Sequence, residues 1–269
     1  PLMPTAIGRD NLDRFVASGF DVIQGRPNGK STRKLARLAF EHMGDPFEPF
    51  IYGQTNFPLQ MAIRHGIKLI MYGEDAELEY GGEVTKARAQ RQAQDHERQY
   101  FSGRGPEFWL RYGMTMPELV PFLGPRFDEL NGTEIHFMSY YLNWVPQENY
   151  YYASENLGFQ PNPERTIGTW SKYCSLDDEL DFLHYYCAYL KFGIGRATSD
   201  AAHECRDGHI AREEAVMLVK KFDGEFSDRH WSLACEYMGI TDDEGRAILS
   251  KLKNKDLWDN EGLKYAVWK

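Results

Sequence analysis

From Pro58 to Gly82 the chain spells a helix, a glycine, an apolar strand and an acidic loop, and that order leaves few folds open. Pro58 suits the first turn of a helix, where its missing N–H leaves no bond unmade. Gly66 suits the helix end, since glycine takes left-handed backbone without strain. Ile67 to Tyr72 (IKLIMY) reads as a strand, and Gly73, Glu74 and Asp75 follow at once. Earlier, Phe20 to Gln24 (FDVIQ) reads as another short buried strand, with Pro27, Asn28 and Gly29 as the turn after it. Lys30 to Met43 reads as a helix, because Leu35, Leu38 and Ala39 recur at helical spacing and Gly44 stops it. Strand, helix, helix, strand predicts an α/β fold with a parallel sheet. Ligands of such sheets lie beyond the carboxyl ends of the strands. Two polar loops, Arg26–Lys30 and Gly73–Gly82, are expected there.

Composition narrows the function. The chain has 269 residues, 42% hydrophobic and 26% charged, which is enough for a folded core. Mean hydropathy is −0.58, and no apolar run approaches the roughly 20 residues of a membrane span. Lys and Arg number 31 against 40 Asp and Glu, a net charge of −9, so a broad nucleic-acid footprint is disfavoured. The opening PLMPTAIGRDNLDRF lacks the layout of a signal peptide. Four scattered cysteines fit a reducing, cytoplasmic compartment better than a disulfide framework.

Glu83 to Arg98 is almost wholly polar and reads as a solvated helix or a lid. Ile135 to Trp144 (IHFMSYYLNW) reads as an aromatic strand, and Gln147 to Pro163 as a loop rich in Tyr, Asn and Pro. The last third is helical. Ser175 is expected to cap a helix over Leu176–Phe192, whose Leu176, Leu180, Leu183, Cys187 and Leu190 make one apolar stripe. Ile210 to Phe222 reads as a second helix, and Thr241 with Glu244 as the capping box of a third. Expected parts are 1–82 (α/β core), 83–150 (polar segment and aromatic strand) and 151–269 (helical region).

Three constellations carry chemistry. Asp177, Asp181, His184 and Lys191 fall on one side of the first of these helices, either as a solvated stripe or as a functional face. Gly193, Gly195, Arg196 and Asp200 follow, suiting a carboxylate or phosphate as well as a structural Arg–Asp pair. Tyr72 to Gly82 carries Glu74, Asp75, Glu77 and Glu79 with Tyr80 between glycines. Mg²⁺ takes one or two carboxylates together with substrate phosphates, so this loop is either a metal site or simply solvated. Pro27 to Thr32 (PNGKST) lacks the earlier glycine of a P-loop, yet Lys30 at a helix start suits a phosphate. No His pairs with Cys or another His at zinc-ligand spacing, and no Cys stands out as a nucleophile. Tyr140, Tyr141, Trp144 and Tyr150–Tyr152 read equally as pocket wall or core.

Five stretches resemble the N-acetyl sugar amidotransferases of bacterial surface-polysaccharide and nonulosonic-acid (pseudaminic-type) synthesis. They are SGFDVIQGRPNGK, RLAFEHMGDPFEPFIYGQTNFP, YGEDAELEYGG, GTWSKYCSLDDELDFLHYY and KFGIGRATSDAAHECRDGHIAREEAVMLVKKFDGEF. The resemblance implies a PP-loop ATP-pyrophosphatase core. It also implies conversion of a sugar acetamido group to acetamidino with ATP, Mg²⁺ and ammonia from a glutaminase partner. The family's phosphate loop, of the form SGGKDS, occurs nowhere in this sequence, and neither does its cysteine-rich N-terminal stretch. Both are expected to precede Pro1, and any zinc is expected only there.

The expected assignments follow. Glu74, Glu77, Asp177 and His184 are catalytic, with Glu74 and Asp75 on the metal. Asn28, Lys30 and Gly73 face ATP. Tyr80, Lys191, Arg196 and Asp200 hold an acetamido sugar or sugar nucleotide. The alternative is a non-catalytic subunit that docks a glutaminase or a sugar nucleotide. A glycosyltransferase is weaker, since no DxD triplet of its kind is recognised.

Overall fold

A computed structural model describes residues 1–74, 90–91, 104–130 and 132–268. The fold is α/β, and the chain packs as two compact units that interleave in sequence. One comprises Gln24–Leu38 and Glu48–Trp144; the other comprises Pro1–Ile23, Ala39–Phe47 and Val145–Lys269. The expected parts follow chain order instead. Helix α2 (Gly29–Met43) begins in the first and ends in the second.

The first unit is built on a three-stranded sheet. Strand β1 (Leu69–Tyr72) pairs in parallel with β3 (Glu134–Phe137), and β2 (Gln90–Arg91) pairs antiparallel with β3's other edge. Strand alternation turns Ile70, Tyr72, Ile135 and Phe137 inward, where they meet Leu59 and Ile63 of helix α3 (Glu48–His65) and Leu130. Leu69 and Met71 remain on the open face.

Pro58 does not start α3 but lies inside it. Proline there cannot donate to the carbonyl four residues back, which belongs to Gln54. The Tyr72 hydroxyl donates to that carbonyl at 3.0 Å, so the helix runs through. Asn56 and Tyr52 fix the same helix, donating to the carbonyls of Phe122 and Arg104 at 2.7 Å each. A short helix α4 (Met116–Leu119) lies beyond, capped by Thr115 and Glu118.

In the second unit, α1 (Ala6–Ala17) is capped by Thr5. The stretch before it lies beside the lead-in to α6 (Asp181–Phe192): Asp178 accepts from the N–H groups of Leu2, Met3 and Leu180. Helices α7 (Arg196–Arg206) and α8 (Arg212–Phe222) pack through Ala201, Ala215 and Val219, covered by Trp170 and Ile210. Helix α9 (Asp228–Met238) contributes the buried Trp231, which Gly245 of α10 (Asp242–Leu252) approaches so closely that a Cβ would lie 2.6 Å from its ring. The Thr241–Glu244 capping box is formed as expected. A small hairpin, β4 (Trp258–Asp259) and β5 (Gly262–Leu263), follows.

Four expectations are corrected. Phe20–Gln24 is not a strand: Phe20 and Ile23 are exposed, and Phe20 stacks on Phe15. The expected loop Gln147–Pro163 opens as helix α5 (Pro146–Leu157), with Pro146 in its first turn and Gly158 left-handed at its end. The aromatic strand stops at Phe137, where Met138–Tyr140 turn tightly. Ser175 caps nothing; it has φ 49°, and helix α6 begins only at Asp181. The polar stretch Glu83–Arg98 lies outside the described residues except Gln90 and Arg91, which are a strand rather than helix.

Candidate functional site

Helix α6 carries a polar row through the second unit. Asp181 and His184 stand on its first turn and Lys191 on its last. His184 Nδ1 lies 2.9 Å and 3.0 Å from the two oxygens of Asp45, and that carboxylate also accepts from the Phe47 N–H at 3.0 Å. Burial alone pushes the His184 pKa down, but Asp45, backed by Asp181, outweighs it and holds His184 above its ordinary value. The same pair holds the Asp45 carboxyl below its ordinary value against the opposing effect of burial. Lys191 Nζ reaches the Met43 carbonyl at 3.4 Å. Asp177 stands apart: it is exposed, precedes the helix, and offers its carbonyl to the Thr5 N–H.

Arg196 is the first residue of α7. Its Nε donates to Asp200 at 3.0 Å and its Nη1 to Ser175 at 2.9 Å and to the Tyr185 hydroxyl, while the guanidinium lies 4.6 Å from the Tyr185 ring centre. The second Asp200 oxygen accepts from the Thr169 hydroxyl. Burial opposes the charge of Arg196, yet Asp200 and the groups around it keep it firmly protonated. Asp181 lies between His184 and Arg196 electrostatically; burial raises its pKa and both cations pull it back. Acidic and basic side chains thus alternate from Asp45 through His184, Asp181 and Arg196 to Asp200. Three side chains, Asp200, Ser175 and Tyr185, already engage Nε and Nη1 of this guanidinium.

The glycine elbow before Arg196 is filled from within. Gly193 takes left-handed backbone (φ 71°) to end α6. Asp223 accepts from Gly195 N–H at 3.2 Å, from Thr198 N–H at 3.1 Å and from the Thr198 hydroxyl. The N-terminus of α7 therefore holds the chain's own carboxylate. Asp223→Ala should lower stability by about 1–2 kcal/mol, as for other lost helix caps. Thermal melts followed by circular dichroism check this, and an unchanged midpoint would remove Asp223 from that role.

The first unit has its own polar edge. Because β1 and β3 run parallel with Tyr72 opposite Phe137, residues after both strands leave at the same end. Gly73 and Glu74 leave there, with the Gln54 side-chain amide bonded to Glu74. Asp75, Glu77 and Tyr80 lie outside the described residues. Asn28 accepts from the N–H groups of Lys30 (2.9 Å) and Ser31 (3.4 Å), capping α2, and Lys30 is exposed on its first turn.

Also on this sheet, and passed over in sequence, are Glu134 and His136. His136 Nε2 lies 3.1 Å from a Glu134 oxygen, and its Nδ1 meets the Tyr141 hydroxyl. The signal was present: a spacing of two places both residues on one face of a strand. Among the described residues, no three His, Cys, Asp or Glu side chains group to hold a metal ion. One carboxylate, Glu74, is compatible with Mg²⁺ that draws its other ligands from phosphates.

Of the expected residues, the second unit brings together His184, Lys191, Arg196 and Asp200 on α6 and α7 but not Asp177. The edge of the first unit holds Gly73 and Glu74. With these two arrangements in view, comparison with known proteins adds one link. Residues 167–269 match the family described as LPS biosynthesis protein WbpG-like, C-terminal domain, less than half of the chain. That stretch contains Lys191, Arg196 and Asp200, and the match supports a connection to LPS biosynthesis. No curated protein matches the chain. Among the described residues, no helix is long and apolar enough to cross a membrane.

Proposed function

We propose that the protein is an ATP-dependent N-acetyl sugar amidotransferase of LPS or nonulosonic-acid biosynthesis. It has a PP-loop type of core and works in the cytoplasm with a glutaminase partner. The observation that carries this reading is the match of residues 167–269 to the C-terminal domain of WbpG-like LPS biosynthesis proteins, over the same stretch whose KFGIGRATSDAAHEC run resembles the amidotransferases.

The chemistry follows from need. An acetamido carbonyl is a poor electrophile. Its oxygen attacks the α-phosphate of ATP, pyrophosphate leaves, and ammonia then displaces AMP to give the amidine. Mg²⁺ supplies charge neutralisation on the phosphates. Glu74, at the carboxyl end of β1, is the described residue best placed to hold it.

Incubating the protein, together with any segment that precedes Pro1, with ATP, Mg²⁺, ammonium chloride and a panel of nucleotide-linked N-acetyl sugars tests this directly. AMP and pyrophosphate should form only with an acceptor sugar, and mass spectrometry should show oxygen replaced by an NH group. Glu74→Gln should slow turnover about 100-fold, the scale of a lost electrostatic contribution, with an unchanged melting midpoint. ATP left intact with every sugar, with ammonia or with glutaminase, removes the proposal.

A further inference from the structure

On the open face of the sheet three side chains meet in a line. Ile135 and Phe137 turn into the core, so Glu134 and His136 project from the other side of β3. The tight turn Met138–Tyr140 brings Tyr141 back over the strand. Its ring lies parallel to that of His136, with centres 5.9 Å apart and planes 2° from parallel. The Tyr141 hydroxyl meets His136 Nδ1, and His136 Nε2 lies 3.1 Å from Glu134.

The donor and acceptor roles follow from the His136 tautomer, and one tautomer makes a relay. An ionised carboxylate only accepts, and a neutral imidazole carries one proton. Nε2 therefore donates to Glu134, and Nδ1 accepts from the Tyr141 hydroxyl. Carboxylate, imidazole and hydroxyl in this sequence make the hydroxyl oxygen a better proton acceptor, because the imidazole takes its proton and the carboxylate steadies the imidazolium. Stability gives little reason for the arrangement. The Glu134 side chain and Tyr141 are each 50% exposed and His136 keeps 17%, and an ion pair with one solvated partner contributes about 0–1 kcal/mol. Tyr141 follows β3 just past the parallel pair's carboxyl end, where Gly73 and Glu74 leave β1. Ligands of parallel sheets sit at that end.

We propose that Glu134, His136 and Tyr141 form a proton relay serving the amination step, with Tyr141 as the group that touches the incoming ammonia. This rests on the amidotransferase reading. Ammonia nitrogen bonds to the imidate carbon and becomes positively charged. One N–H bond breaks, its proton passes to the Tyr141 oxygen, and the Tyr141 proton passes to His136 Nδ1. The bond from carbon to the AMP oxygen then breaks, and AMP leaves with the electron pair. His136 returns its extra proton to solvent, so the products are amidine, AMP and one proton.

The two half-reactions separate the possibilities. Wild-type protein, Tyr141→Phe and His136→Gln are assayed for the pyrophosphate burst with acceptor sugar and no ammonia, and for amidine formation with ammonium chloride across pH. Both variants should slow amidine formation about 100-fold, the lower range for general acid–base catalysis. Both should keep the wild-type burst, and the rise of rate with pH should flatten. Equal amidine rates in wild type and Tyr141→Phe overturn the relay, as does a matching loss of burst and amination. A wild-type protein that forms neither pyrophosphate nor amidine instead overturns the amidotransferase reading, and this role falls with it.

Discussion

Arg196→Met should lower unfolding free energy by about 3–5 kcal/mol, the scale for breaking a buried ion pair from one side. Arg196 and Asp200 keep only 11% and 13% of their side-chain surface exposed. Removing the guanidinium leaves the Asp200 carboxylate buried with only Thr169 to serve it, and strips Asp181 of one of its two cations. The Ser175 and Tyr185 hydroxyl oxygens each lose a donor as well. Arg196→Lys keeps the charge without the fork and should fall between the two. Urea titration measures the effect as a shift in midpoint at constant slope. A loss below about 1 kcal/mol would place Arg196 with ordinary surface pairs instead.

Asp45→Ala should show its largest destabilisation in a bounded pH window. His184 has a folded pKa above its ordinary 6.5, so its stabilisation is complete below that value and fades as pH rises through the raised one. Asp45 has a folded pKa below its ordinary 3.8, so its contribution is complete above that value and fades as pH falls through the depressed one. The pair therefore contributes most between those two ordinary values. Asp181 supports the charge on His184 and Lys191 opposes it, and both stay in place in the variant. The loss there should be about 3–5 kcal/mol. Wild-type and variant melts from pH 4 to pH 9 give the difference curve, and a flat curve would falsify the ion-pair account.

Elements that repeat a signal over several turns were legible in the sequence. Helices α2 and α8 and the stripe of α6 each announce themselves through three or more apolar residues in step. Gly66 and the Thr241–Glu244 box mark their helix ends by backbone chemistry alone. What failed depended on partners far along the chain. Pro58 reads as a helix start unless one knows that Tyr72 serves the Gln54 carbonyl. Helix α1 buries no residue of its own, so it has no apolar stripe to read. FDVIQ is apolar enough for a strand, yet no neighbouring strand pairs with it among the described residues.

The polar clusters divide in the same way. His184, Lys191, Arg196 and Asp200 could be picked from helical spacing and glycine flanks. Their partner Asp45, 139 residues from His184, could not, nor could Asp223 as the occupant of the elbow before Arg196. Ser175 was legible as a polar residue before a helix, but Asp178 takes over the lead-in by accepting the Leu180 N–H.

The link between Leu2 and Asp178 spans 176 residues of chain. A ribosome adding about 5–20 residues per second delivers Asp178 roughly 10–35 s after Leu2. Throughout that interval the Leu2 and Met3 N–H groups lack the carboxylate that later accepts from them. Every residue of the unit comprising Gln24–Leu38 and Glu48–Trp144 is synthesised before Asp178 is, whereas the other unit closes on itself only after it.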